Sequence, residues 1–264
     1  MIENGNELKR KLAAGKTTAG LWVTLESATI TEIAVVLGYD WVVIDTEHGH
    51  LDLREVLDHV RAVRGASTTP IVRIQEIEQG TIKRVLDIGA AGIIVPQVTC
   101  AEDVERAVRF AKYPPRGIRG VGGERATRWG MGLREMTGVA DQETMVIPLV
   151  ETVAAGEAID QILDVPGVDA IFFGPADYSA SAGHLGEWEG PGVASRLLEL
   201  KDRIVARGVP CGIMATDVEN ARMRAAQGFR MIGLGSDTGL LIRSSREALA
   251  ALRGPEPGIE KDKS

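Results

Sequence analysis

Eight short apolar runs, each rich in Val and Ile, recur along the 264 residues and alternate with segments of helical spacing. The runs are Gly20–Thr24, Trp41–Asp45, Pro70–Ile74, Gly92–Pro96, Met145–Glu151, Ala170–Phe173, Pro210–Met214 and Arg230–Leu234. They are continuously apolar rather than alternating, the pattern of parallel strands covered on both faces. Between them, Leu53, Val56, Leu57 and Val60, and again Val104, Ala107, Val108 and Ala111, share the i, i+3, i+4, i+7 spacing of one buried helical face. Asp52, Thr99 and Asp217 stand where N-caps are expected, and Gly38, Gly89 and Gly228 where helices should stop. A helix stop followed at once by a buried strand recurs at Gly38–Ile44, Gly89–Val95, Gly167–Phe173 and Gly228–Leu234. Eight apolar runs alternating with helical segments make eight βα units, which predict an α/β fold, a (β/α)8 TIM barrel. A doubly wound sheet is the competing topology, but no GxGxxG follows the first strand. No Ser/Pro-rich linker divides the chain, so residues 1–254 are expected to form a single barrel domain and 255–264 a flexible C-terminal tail.

Charge narrows the partners. Thirty basic residues against 37 acidic ones give a net charge of −7, which argues against a nucleic-acid backbone as ligand. No run approaches the roughly 18 to 20 apolar residues of a spanning helix, so no membrane partner is expected. Met1 to Lys16 lacks the apolar centre of a secretory signal, and Cys100 and Cys211 have no metal-finger spacing; both suit a reducing cytoplasm.

In a barrel of this kind, chemistry belongs at the C-terminal ends of the strands. There the sequence offers Asp45-Thr46-Glu47-His48, Arg73, Gln97, Glu151, Gly174-Pro175-Ala176-Asp177 and Gly235-Ser236-Asp237. Glu151 and Asp177 end neighbouring strands, which lie about 4.8 Å apart, so the two carboxylates can share one cation. Two carboxylates with open positions suit Mg2+ or Mn2+. The competing reading is that Glu151 only caps the helix expected at Ala155–Leu163. His48 can move a proton near neutral pH if Asp45, or Asp87 brought close by folding, fixes its tautomer; otherwise it is a loop histidine bonded to backbone. His50, His59 and His184 are expected to be exposed.

Arg73 lies in an apolar strand, where a guanidinium needs an anion, either a carboxylate or enolate ligand or a structural ion-pair partner. The backbone N–H groups of Ala176 and Asp177, beside Gly174, suit a carboxylate. Trp22 on the first strand and Gln97 after the fourth join the substrate-binding candidates. The glycine-rich run Gly117–Gly123 is a weak phosphate loop and a better mobile or interface loop carrying Arg119. All eight lysines fall on predicted helices or tails, which removes the imine route to carbonyl activation and leaves a metal to polarise the carbonyl.

Taken together, Trp41–Gly49, Pro70–Arg73, Tyr113–Gly122, Val150-Glu151-Thr152, Val165–Asp169 running to Gly174–Asp177, Ala182–Gly186 and Gly233–Asp237 resemble the HpcH/HpaI family of metal-dependent (class II) pyruvate aldolases, over roughly Gly20 to Leu252. The resemblance implies reversible cleavage of a 4-hydroxy-2-oxo acid to pyruvate, or hydroxypyruvate, and an aldehyde. It implies that Glu151 and Asp177 hold a divalent cation, Mg2+ or Mn2+ with Co2+ or Zn2+ as alternatives, which pyruvate chelates. It further implies that Arg73 steadies the enolate and that the N–H groups of Ala176 and Asp177 receive the carboxylate. His48, oriented by Asp45 or Asp87, would be the acid/base acting through a metal-bound water. A homohexamer, a trimer of dimers in which the last helix (Leu240–Leu252) packs on a neighbour, is also implied. The chain departs from relatives at Leu149-Val150-Glu151 and at Asp45-Thr46-Glu47-His48, both of which bear on the aldehyde. The alternatives are a macrophomate-synthase-like oxaloacetate decarboxylase, a citrate-lyase-type CoA-ester lyase for which no adenine nucleotide pocket is identifiable, and a barrel that binds acids without turnover.

Overall fold

Residues 5–254 are described in the computed structural model of the chain, and the expected tail at 255–264 lies outside them. The eight apolar runs form β1 (Thr18–Val23), β2 (Trp41–Asp45), β3 (Thr69–Arg73), β4 (Gly92–Val95), β5 (Met145–Val150), β6 (Ile171–Phe173), β7 (Cys211–Met214) and β8 (Met231–Ser236). Each pairs in parallel with the next and β1 pairs with β8, closing the (β/α)8 barrel that the repeat predicts. Before β1 comes α1 (Glu7–Ala13). Between β1 and β5 lie α2 (Thr29–Leu37), α3 (Leu53–Ala62), α4 (Gln79–Ile88), α5 (Ala101–Ala111) and α6 (Leu133–Glu143). The remainder are α7 (Val153–Glu157), α8 (Ile159–Asp164), α9 (Pro175–Ser181), α10 (Val193–Ala206), α11 (Val218–Ala226) and α12 (Asp237–Arg253). No helix among the described residues is long and apolar enough to cross a membrane.

Local chemistry explains the boundaries. Asp52 and Asp217 cap α3 and α11, accepting from the N–H groups of Arg54 and Asn220 at 2.8 Å each. Thr99 does not cap α5: its N–H and hydroxyl both donate to Asp103, and Cys100 takes the cap position. Gly38 and Gly89 end α2 and α4 in the left-handed conformation, whereas α11 ends at Gln227, one residue before Gly228. The helix expected at Ala155–Leu163 is two, α7 and α8, meeting at Ala158.

Strand periodicity then sorts the side chains. Trp22, Trp41, Val43, Ile71, Ile94, Met145, Ile147, Leu149, Phe172 and Met231 fill the barrel interior, with Leu8 and Leu12 of α1 completing this cluster. Ile44, Val72, Ile93, Val150 and Ile213 pack in a second cluster with side chains of the surrounding helices. The interior alternates large and small residues: a Cβ on Gly20 would sit 2.0 Å from the Trp41 ring, and one on Gly212 2.4 Å from Phe172. With a period of two, the inward series on β2, β3, β5 and β6 run on to Asp45, Arg73, Glu151 and Gly174. The polar end of the barrel is thus the continuation of its apolar interior.

One histidine corrects an expectation. His59 is fully buried, not exposed. It shares the inner face of α3 with Val56 and Val60, its Nδ1 pairs with the Thr31 hydroxyl at 2.8 Å, and its Nε2 pairs with the Leu25 carbonyl at 3.1 Å. Burial holds its pKa below the ordinary 6.5, against smaller opposing effects of the Leu25 carbonyl and of Asp237, Asp58 and Glu55. The unfolded chain therefore takes up a proton here before the folded one does, and the contribution of His59 to stability falls as pH drops from about 7 to 5. Denaturant midpoints measured across that range are expected to decline more on acidification in wild type than in His59→Gln, the difference isolating His59 from carboxylates such as Glu151 that titrate in the opposite sense; equal pH dependence in the two proteins would show that His59 is not a titrating group.

Candidate active site

Asp45 and Arg73 face one another in register at the ends of β2 and β3, and both are buried. The guanidinium donates through Nε to Asp45 Oδ1 at 2.9 Å and through Nη2 to Oδ2, a two-point pairing. The same carboxylate accepts from Trp22 Nε1 at 3.0 Å and from the backbone N–H groups of Glu47 and His48 at 3.0 and 3.3 Å. Arg73 also lies 5.1 Å from the Trp22 ring centroid. Removing one member of so buried a pair costs about 3–5 kcal/mol, because the other charge is left without a partner. Asp45 thus aims Arg73 and shapes the turn into His48, but it meets His48 through backbone and not through the imidazole.

A second group, acidic, faces this one. Glu151 follows β5, is buried, and accepts the Gln97 N–H at 2.5 Å. Gln97 is a non-glycine residue at φ 52°, a conformation that costs about 1–3 kcal/mol and is held here by that bond. Its side-chain amide donates to Glu47 Oε1 at 3.2 Å, while Glu47 Oε2 lies 2.8 Å from Arg73 Nη1. That ion pair is misaligned for hydrogen bonding, which leaves Oε2 a buried acceptor without an aligned donor among the described residues. Thr152, and not Glu151, caps α7, accepting from the Ala155 N–H at 3.0 Å. The capping role that competes with a cation-binding one for Glu151 is therefore filled by Thr152. Gly174 makes room for it, since a Cβ there would fall 2.9 Å from the Glu151 Cβ. Asp177 stands in the first turn of α9, exposed and close enough to act on Glu151 electrostatically.

Burial, with the Glu47 and Asp177 charges adding to it, raises the Glu151 pKa to about 7; the Gln97 N–H and Arg73 only partly offset this. Three carboxylates around a guanidinium already committed to Asp45 and Glu47 make a site short of positive charge, which a divalent cation would supply. No three His, Cys, Asp or Glu side chains among the described residues form a ready cage. Glu151 and Asp177 fit instead a two-carboxylate oxygen site of the kind Mg2+ or Mn2+ takes, whose other positions belong to water or substrate.

The groups converge on a cavity of about 450 Å3, lined by Trp22, Asp45, His48, Arg73, Glu151, Gly174, Ala176 and Asp177, with Trp188, Met214, Thr216, Ser236, Leu240 and Arg243 on its remaining wall. No lysine is among its lining residues; Lys112 is instead buried below, donating to the Asp141 and Thr144 carbonyls at 2.8 and 2.6 Å. Gln97 touches the site through Glu151 and Glu47. Asp87 does not reach it within one chain: it lies on α4, where Arg119 donates to it at 2.8 Å. Arg119 itself is buried and stacked 4.7 Å from the Tyr113 ring, so the arginine of the glycine-rich run is an internal anchor. Sequence reasoning quoted Glu47 without giving it a role, although it follows Asp45 by two residues. Trp188 and Arg243 were missed because they come from a loop and a helix with no chemical motif.

Comparison with known proteins agrees with this architecture. Residues 18–244 match the profile described as HpcH/HpaI aldolase/citrate lyase. A hydroxypyruvate/pyruvate aldolase of Pseudomonas aeruginosa is 36% identical over 254 residues, covering 96% of this chain and 94% of that protein. A pyruvate aldolase of Rhizobium etli is 39% identical over 247 residues, covering 93% and 96%. The crystal structure of an HpcH/HpaI aldolase/citrate lyase family protein from Burkholderia cenocepacia superposes with a TM-score of 0.90 at 35% identity, covering 94% of this chain and all of that one. With a profile spanning most of the chain and relatives matched nearly end to end, this protein belongs to the HpcH/HpaI aldolase/citrate lyase family.

Proposed function

We propose that the chain is a divalent-metal-dependent aldolase that reversibly cleaves a 4-hydroxy-2-oxo acid into pyruvate, or hydroxypyruvate, and an aldehyde. The observation that carries this reading is the placement of a buried, oriented Arg73 and the Glu151–Asp177 carboxylates on the lining of one cavity. Relatives named hydroxypyruvate/pyruvate aldolase and pyruvate aldolase support the donor. A cation held by Glu151 and Asp177 would act as a Lewis acid on the 2-oxo group.

The chain's own residues do the rest. Arg73, locked by Asp45, presents positive charge where the pyruvate enolate oxygen develops its negative charge, and needs no reorientation during the reaction. Gly174 gives α9 no side-chain cap and Ala176 and Asp177 line the cavity, which supports their N–H groups as donors to the substrate carboxylate. His48, at the exposed end of the turn fixed by Asp45, takes the C4 hydroxyl proton as the C3–C4 bond breaks and returns it in synthesis. Hydroxypyruvate fits the same donor site, because its extra hydroxyl is not one of the two groups that bind the cation and α9. Along α12 the exposed Leu241, Ile242, Leu249 and Leu252 suit burial against a second copy, in keeping with a homo-oligomer, proposed as a hexamer built as a trimer of dimers.

Removal of metal with EDTA, or Glu151→Ala or Asp177→Ala, is expected to lower aldol cleavage at least about 100-fold, with Mg2+, Mn2+, Co2+ or Zn2+ restoring only the treated wild type; full activity in EDTA would end the metal-dependent reading. His48→Ala is expected to slow cleavage by about 100-fold or more while slowing pyruvate methyl-proton exchange far less, since exchange involves no C4 hydroxyl. Equal losses in the two assays would show that His48 does not serve that proton.

A further inference from the structure

One buried ion pair takes no part in the chemistry proposed above and yet ends beside the cavity. Arg224, on α11 between β7 and β8, is almost fully buried and is not one of the cavity's lining residues. Its Nη2 donates to the carboxylate of Glu189, in the loop between α9 and α10. Its Nη1 donates to Gln227 Oε1 at 3.3 Å, and the guanidinium carbon lies 5.9 Å from the Phe229 ring centroid. Among the described residues Glu189 is the carboxylate paired with this guanidinium. A charge so deeply buried depends on its partner, so the pair ties the α9–α10 loop to α11.

The residues on either side of Glu189 are held as well. Ser179 of α9, buried and two residues beyond Asp177, donates through Oγ to the Trp188 carbonyl at 3.3 Å and accepts the Gly190 N–H at 2.9 Å. A Cβ on Gly190 would fall 2.4 Å from the His184 Cβ, so the loop doubles back on itself at this point. Three consecutive residues are thereby fixed, and the first of them, Trp188, lines the cavity together with Met214 and Leu240. Its indole Nε1 is buried with no acceptor among the described residues. A buried indole N–H ordinarily finds a partner. The ring's own polar atom therefore does not set its place; the anchors on residues 188–190 do.

We infer that Arg224 and Glu189 are positioning residues of the active site that act through Trp188: their ion pair holds the indole as a fixed wall for the aldehyde chain, from a helix that does not meet the substrate. The inference rests on the aldolase reading above and deepens it. The 2-oxo acid belongs to the side of Arg73, Glu151 and Asp177 in that reading, which leaves the Trp188 wall to the aldehyde. Loosening the pair then weakens aldehyde binding and spares the pyruvate half, because the polar contacts of Arg224 are Glu189 and Gln227 and none of the pyruvate-binding groups.

The test is a double-mutant cycle read in synthesis from pyruvate and butanal, with pyruvate proton exchange measured alongside. Arg224→Met, which keeps an apolar stem against Phe229 and removes the charge, is expected to raise KM for butanal about tenfold while kcat and proton exchange hold. Arg224→Lys should recover part of the loss. In a Trp188→Phe background, Arg224→Met is expected to add little to the butanal KM, because the residue it acts through is already gone. Acrylamide quenching, compared in each protein with its Trp188→Phe counterpart to isolate the Trp188 emission, should increase in Arg224→Met. Glu189→Gln is expected to give the same pattern at smaller amplitude, and it carries the test where Arg224→Met does not fold. Parallel losses in proton exchange and butanal KM, or an Arg224→Met effect undiminished in the Trp188→Phe background, overturn the inference by showing a merely structural pair. If wild type shows no proton exchange, the aldolase reading fails, and the quenching comparison alone decides whether the pair holds Trp188.

Discussion

A guanidinium buried at the end of a β-strand is the constraint from which the rest of this site follows. Arg73 is tolerable in the barrel because Asp45 lies directly across the sheet and meets it at two points, with Glu47 taking a third nitrogen. The register between β2 and β3 is therefore both a packing and an electrostatic requirement, since a one-residue slip would turn Arg73 outward and leave Asp45 facing Trp22 alone. The same carboxylate organises the backbone that follows β2, so the position of His48 depends on the ion pair although His48 takes no part in it.

The acidic side is built on the opposite logic. Glu151 is buried with two other carboxylates near it, and burial, with those charges adding to it, raises its pKa to about 7, a rise that the Gln97 N–H and Arg73 only partly offset. The strained Gln97 backbone and the absent side chain of Gly174 both serve to admit that carboxylate at this spot. A site that destabilises its own ionised carboxylate gains most from a cation that replaces the proton, which links the electrostatics of the cavity to the chemistry proposed for it.

The barrel was legible because the strands ran as short apolar segments and because helical stripes such as Leu53–Val60 and Val104–Ala111 stood between them, so the two periods marked one another's limits. Arg73, Glu151 and Asp177 were legible because their charges follow apolar runs at strand ends, where the fold itself makes polarity informative. Contacts between segments remote in sequence were not. Whether Asp45 bonds the His48 ring or its backbone depends on a turn whose geometry no spacing specifies, and Asp87 meets Arg119 because α4 packs beside the segment after α5. His59 was misjudged by residue type although its place three after Val56 pointed inward; Thr31 and Leu25, which satisfy it, come from a distant stretch.

The most direct measurement of the central claim is anomalous diffraction from crystals grown with Mn2+ and oxalate, a stable mimic of the pyruvate enolate. The account predicts one manganese peak bridging the Glu151 and Asp177 carboxylates, with oxalate chelating it and an oxalate oxygen on the Arg73 guanidinium. A peak elsewhere in the barrel, or none at saturating Mn2+, would contradict it.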